Sequence, residues 1–191
     1  DAVVVTGKAT GPVFLCIDGA EVSLKDASHL WGMGAVRTRH ALKGELGHSV
    51  RIVAIGPAGE NMAVMANLVA DNDATGSIGL GAVMGSKMLK AIAVRGQAKV
   101  PMAEPGRLKT VVREIIADLD DAILPRALRL AGTAGTLDSL LMYGDMPIRY
   151  YQQGDWDNAS NLSGIVMADQ YQNRIYACYR CPIGCGRETR A

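Results

Sequence analysis

The apolar positions of this chain change period once, and the change divides the molecule. From the first residue to about residue 98 the apolar residues come in short, nearly continuous or alternating runs, AVVV, VFLCI, EVSL, VRIVAI and LKAIAV. Each is bounded by glycine or proline, the pattern of strands joined by tight turns. Asp18-Gly19 between VFLCI and EVSL predicts a hairpin turn, and Gly56-Pro57-Ala58-Gly59 predicts a second turn after VRIVAIG. A helix is expected between these strands, capped by Asp26 or Ser28 and ended by Gly47. The run MAVMANLVA at 62–70 fits either a strand or a buried helix.

Beyond residue 98 the period lengthens. Gly96 to Pro105 carries glycine, proline and charge with little apolar pattern, and a domain boundary is expected there, giving domains at 1–98 and 99–191. Leu108, Val111, Val112, Ile115, Ile116 and Leu119 then recur at the three–four spacing of one helix face. Pro125 stops that helix, ALRLAG and TLDSLLMYG predict short helices closed by Gly132 and Gly144, and a polar loop leads to a last helix around 162–173. The predicted class is α+β, with a strand-rich N-terminal region followed by an α-helical one.

Composition narrows the function more than the fold. The chain has 191 residues, 49% of them hydrophobic and 20% charged, enough apolar surface for a real core. Twenty basic against 19 acidic side chains leave a net charge of +1, so nothing suggests a nucleic-acid or anionic-membrane partner. No apolar run approaches the roughly 20 residues of a membrane span. Of the 4 cysteines three are clustered, which suits ligation in a reducing compartment and a cytoplasmic location. The opening DAVVV resembles the interior of a strand, and the chain is expected to be a fragment.

The cluster is Cys178-Tyr-Arg-Cys181-Pro-Ile-Gly-Cys185, a C-x2-C-x3-C loop. A four-iron cluster takes thiolates on separate irons, and a short loop with Pro182 and Gly184 can aim three sulfurs at one such body while its amides donate to the sulfides. A zinc site and unligated thiols remain alternatives, although zinc asks for a second pair and His29, His40 and His48 lack ligand spacing. Cys16 lies in VFLCI, where a small buried residue is expected rather than a fourth ligand. The segment ATGSIGLGAVMGSK is rich in glycine, yet it satisfies neither the dinucleotide fingerprint nor the P-loop spacing. It offers backbone without side chains, suited to a phosphate or a flat cofactor, or simply to a tightly packed turn.

GPAGEN at 56–61, GAVMGSKMLKAIAVRG at 81–96 and CYRCPIGCGR at 178–187, together with DASHLWG and YYQQG, resemble the aldehyde:ferredoxin oxidoreductase family over essentially the whole chain. The resemblance implies a β-sheet seat for a tungsten (or molybdenum) bis-pterin centre, a 4Fe-4S cluster on Cys178, Cys181 and Cys185, and a fourth cysteine from a later helical domain. Ala74, Thr75, Gly76, Ser77, Gly79 and Gly81 would then contact the pterin phosphates and their bridging magnesium. The implied activity of the parent is oxidation of small aldehydes to carboxylic acids with ferredoxin or a similar electron carrier as acceptor, in a homo-oligomer. The acid and base residues would lie outside this chain, and the piece alone would be inactive with apolar surface uncovered. Where many members read RAAGRGG this chain reads DATGSIG, with Asp73 and Ser77 at the positions of two arginines. That departure favours a rival within the superfamily, the active-site subunit of a class II benzoyl-CoA reductase. A non-catalytic iron–sulfur or zinc module is the rival of another class.

Overall fold

A computed structural model describes residues 2–71, 75–76 and 78–190 and divides into two compact units, Asp1–Val100 and Pro101–Ala191. In the first unit β1 (Val13–Asp18), β2 (Glu21–Asp26), β3 (Arg51–Ala54), β4 (Leu68–Ala70), β5 (Thr75–Gly76) and β6 (Leu89–Arg95) form one sheet in the order β2-β1-β6-β3-β4-β5. Only β1 and β6 run parallel. Successive side chains of β1 reach opposite faces: Phe14 joins Leu30, Leu42, Val50 and Ile52 on the side of helix α1 (Ala35–Leu46), while Leu15 packs with Ile55 and Met84.

The parallel pair contains a bulge. Val13 faces Leu89 and Phe14 faces Ala91, so Lys90 is the extra residue on β6. Its side chain is fully buried. Its Nζ donates to the Met33 carbonyl at 2.7 Å and pairs with Glu60, which in turn accepts from the Gly32 amide with both carboxylate oxygens, at 3.0 and 2.9 Å. Lys90 thereby fixes the 31–34 segment that leads into α1. This explains a difference from the sequence reading: Asp26 caps only a 3-10 turn at Ser28–Leu30, and α1 starts seven residues after Ser28, once Gly32 (φ +87°) and Gly34 have turned the chain.

Two further expectations are corrected and a third is narrowed. Ala2–Val5 form no strand, and Val3 and Val4 stand exposed. The 56–59 turn is a one-turn helix, α2 (Pro57–Glu60), with proline at its first position where no N–H is needed. Of the 62–70 run only β4 is regular; the residues before it are turns.

In the second unit α4 (Pro105–Asp121) ends before α5 (Ile123–Ala131), followed by α6 (Leu137–Met142) and α7 (Gly164–Gln170). Pro125 falls in the first turn of α5, where it costs no hydrogen bond. Gly132 (φ +69°) and Gly144 (φ +72°) close α5 and α6 as expected. The apolar stripe of α4, Leu108 to Ile116, is uncovered by the described residues, each member being between 38% and 50% exposed. The last helix is shorter than expected. It is capped by the Ser163 hydroxyl, which accepts from Val166 N at 3.2 Å, and stops at Gln170 because the chain turns to strand: β7 (Gln172–Tyr176) pairs antiparallel with β8 (Gly186–Thr189).

Candidate metal centre and glycine segment

The cysteine loop is the tip of that two-stranded ribbon. Tyr176 pairs with Gly186 in register, so residues 177–185 form a loop closed at its base by main-chain bonding. The loop opens with a tight turn in which Cys181 N donates to Cys178 O at 3.0 Å, and Arg180 takes the left-handed conformation (φ +55°) with its guanidinium 5.4 Å from the Tyr179 ring centroid. Gly184 (φ +66°) reverses the chain again; a side chain there would press on Ile175. Tyr176 lies against Gly186, where a Cβ would sit 2.5 Å from its ring.

All four cysteines are free thiols. Cys178 is exposed; Cys181 and Cys185 are half-buried. The amides of Gly184 and Ile183 beside Cys181 hold its thiol below the ordinary range for cysteine, the environment of a sulfur meant to be a thiolate. Among the described residues no group of three or more His, Cys, Asp or Glu side chains is gathered closely enough to hold a metal ion. Three thiols on one short loop, with the amides of Gly184 and Ile183 directed at the Cys181 sulfur, suit an iron–sulfur cluster in donor chemistry. Cys16 stands on β1 in the first unit and packs against the α1 core, but it is half-buried where its apolar setting in the sequence predicts a buried residue.

The ribbon also rests on α5. A Cβ at Gly132 would lie 2.9 Å from the Cys185 carbonyl oxygen and 3.1 Å from Cγ of Arg187, so this helix end can approach the loop only as glycine. Arg129 of α5 reaches the Pro182 carbonyl at 3.2 Å while pairing with Asp120 at 2.7 Å. Sequence reasoning missed both the ribbon and this support. The signal was slight: of QNRIY only Ile175 and Tyr176 favour a strand, with Ala177 between them and the first cysteine.

In the glycine segment, Asp73, Ala74 and Ser77 lie outside the described residues. Thr75 and Gly76 form β5, paired with Val69 and Leu68. Gly79 (φ +80°) precedes helix α3 (Leu80–Ser86), unforeseen in the sequence although Leu80, Val83 and Met84 have helical spacing. The glycines are used for close packing. A Cβ on Gly79 would lie 2.6 Å from the Val64 carbonyl oxygen, on Gly81 2.6 Å from that of Asn67, and on Gly85 1.8 Å from that of Gly59. The Gly81 amide already donates to Ala66 O at 2.9 Å, so it is not a free donor for a phosphate.

Comparison with known proteins agrees along the chain. Residues 1–96 match the family "aldehyde ferredoxin oxidoreductase, N-terminal domain", and residues 110–191 match "aldehyde ferredoxin oxidoreductase, domains 2 & 3". A tungsten-containing aldehyde ferredoxin oxidoreductase of Thermococcus kodakarensis is 43% identical over all of this chain and 32% of its own length, and one of Pyrococcus furiosus is 42% identical over the same shares. The WOR-like subunit of an aliphatic sulfonate oxidoreductase from Pyrococcus furiosus is 30% identical over 97% of this chain and 32% of its own. In structure, the chain is similar to one from the active-site complex of benzoyl coenzyme A reductase with 1,5-dienoyl-CoA, with a TM-score of 0.75 and 28% identity over 97% of this chain and 30% of the other. The chain thus spans about a third of the length of the relatives it matches. Its sheet-then-helix order, its cysteine loop and these matches place it in one group: the chain belongs to the aldehyde ferredoxin oxidoreductase family.

Proposed function

We propose that the whole protein is a tungsten-pterin, iron–sulfur oxidoreductase that converts aldehydes to carboxylic acids and passes the electrons to ferredoxin or a similar carrier in the cytoplasm. The observation that carries this reading is the ribbon-mounted Cys178–Cys185 loop in a chain that matches the family at both ends. Cys178, Cys181 and Cys185 would hold three irons of a four-iron cluster, and the fourth thiolate would come from a part of the protein outside this chain. When bound, the metal–pterin centre supplies the two-electron oxygen chemistry and the cluster conducts electrons singly. The residues of this chain supply ligands, orientation and charge. The ribbon holds the sulfurs, the amides of Gly184 and Ile183 stabilise the Cys181 thiolate, and the Lys90–Glu60 pair fixes the segment that leads into α1. The proposed contacts to the pterin phosphates and magnesium are Thr75, Gly76 and Gly79, with Ala74 and Ser77; Gly81 serves packing instead.

A second reading is favoured by a specific pair of observations, the similarity to the benzoyl coenzyme A reductase chain and the replacement of two arginines by Asp73 and Ser77. An aspartate repels phosphate where arginine would pair with it. The intact protein, prepared without oxygen, is assayed for viologen reduction with a panel of aldehydes and with the dienoyl-CoA, and for reduction of benzoyl-CoA by an added low-potential electron donor. Aldehyde-dependent reduction supports the first reading. Turnover of the thioesters alone replaces it with the second.

A further inference from the structure

Arginine carries five N–H donors in a fixed fork. At Arg187, two residues after the last cysteine of the loop, four of the contacts are visible. Nη1 donates to the Gly184 and Gly186 carbonyls at 2.9 and 2.8 Å, and Nη2 donates to the Leu128 and Arg129 carbonyls at 3.3 and 2.6 Å. The first two carbonyls bracket Cys185. The second two belong to the last turn of α5, where the negative end of the helix dipole favours a cation; Leu128 O also accepts from the Gly132 amide at 2.9 Å. One side chain thus clips the cysteine loop to a helix end, over Gly132, which has no Cβ to block it. The fifth donor, Nε, is buried and has no partner among the described residues. A buried N–H without an acceptor costs about 1–3 kcal/mol, so an acceptor that belongs to the working molecule is called for. In a loop of three thiols that already directs two amides at the Cys181 sulfur, the fitting acceptor is sulfur.

We propose that Arg187 is a positioning residue for the centre, its fork locking the cysteine loop onto α5 and its Nε–H donating to a sulfur of the iron–sulfur cluster. This rests on the cluster assignment of the previous subsection. A hydrogen bond and a positive charge at the cluster favour its reduced form, so Arg187 sets the reduction potential upward as well as holding the loop. Lysine cannot replace it fully, because one ammonium keeps the charge without the fork that spans four carbonyls.

The test uses the intact protein purified without oxygen, as wild type, Arg187→Gln and Arg187→Lys. It measures iron content, midpoint potential by titration followed with electron paramagnetic resonance, and the rate of iron release to a chelator. The glutamine variant should show a lower potential, by about a tenfold change in the redox equilibrium, about 59 mV for one electron. The lysine variant should shift less but release iron several-fold faster than wild type. An unchanged potential in the glutamine variant, or a wild-type release rate in the lysine variant, overturns the proposal. If the glutamine variant does not fold, the release rate of the lysine variant decides alone. Wild-type protein without iron would sink the cluster assignment itself, whereas iron-loaded wild type with unmoved variants sinks only the role of Arg187.

Discussion

Two glycines in helices, Gly44 and Gly85, give a paired test of what the glycine-rich segment is for. Gly44 lies inside α1 with nothing within 4 Å of the position a Cβ would take. Gly85 lies inside α3, where that Cβ would meet the Gly59 carbonyl oxygen at 1.8 Å and its carbon at 2.6 Å, well inside the 3.4 Å at which ordinary contact begins. Both atoms are backbone, so no rotamer change relieves the clash and α3 must move away from α2. Alanine gains about 1 kcal/mol over glycine in a helix. Gly44→Ala should therefore stabilise the protein by about 0.5–1 kcal/mol. Gly85→Ala gains the same propensity but pays an overpacking cost at or above the top of the usual range of about 1–3 kcal/mol, for a net loss of about 2 kcal/mol or more. Denaturant unfolding of the intact protein, followed by circular dichroism, reads both. If Gly85→Ala is as harmless as Gly44→Ala, these glycines are not packing residues, and the segment's reading as a ligand loop throughout is restored.

Three further outcomes follow from the same structure. Lys90→Met leaves the Glu60 carboxylate buried without its cation and should cost about 3–5 kcal/mol, with much of the loss recovered in the double variant Lys90→Met/Glu60→Gln; equal losses in the single and double variants would show that the pair is uncoupled. Partial burial pushes the Asp71 carboxyl up, but its hydrogen bonds from Lys43 (2.6 Å) and the Ile52 amide (3.0 Å), with the Lys43 and Arg39 charges, outweigh this and hold it below the usual carboxylate range. Its contribution is therefore complete above the unfolded carboxylate pKa of about 4 and is lost as pH falls through the folded value, so Asp71→Asn should flatten the acid limb of stability against pH; an unchanged limb contradicts this. Gly132→Ala places a methyl against the Cys185 carbonyl in a left-handed backbone and should cost about 1–3 kcal/mol while speeding alkylation of the loop thiols in metal-free protein; unchanged alkylation would mean that α5 does not support the loop.

Much of this was legible from local chemistry. The strands VFLCI, EVSL, RIVA and LKAIAV, the turn at Asp18-Gly19, the stops at Gly47, Gly132 and Gly144, and the break at Pro125 are set by residues adjacent in sequence. What escaped depends on partners far along the chain. The start of α1 is decided by Glu60 and Lys90, which hold the 32–33 segment from 28 and 57 residues away. The ribbon around the cysteines forms because Tyr176 and Gly186 pair across the loop, and a seven-residue helix before it shared its apolar residues with the reading of one longer helix. The cysteines could be proposed as a ligand set because their spacing is itself the signal. Arg187 was not, since an arginine after a cysteine carries no meaning until α5 is seen to end beside it. The glycine segment was read by composition, and composition does not separate a loop that receives a ligand from a helix that needs a smooth face.

The central claim is that Cys178, Cys181 and Cys185 ligate a four-iron cluster in a tungsten-pterin enzyme. It is tested most directly by metal analysis and Mössbauer spectroscopy of the intact protein isolated without oxygen, beside the same protein with the three residues changed to serine. The account predicts about four irons and one tungsten per chain in the first, with the spectrum of a cubane, and loss of the iron signal in the second. Iron-free wild-type protein, or a cubane that survives the triple substitution, would contradict it.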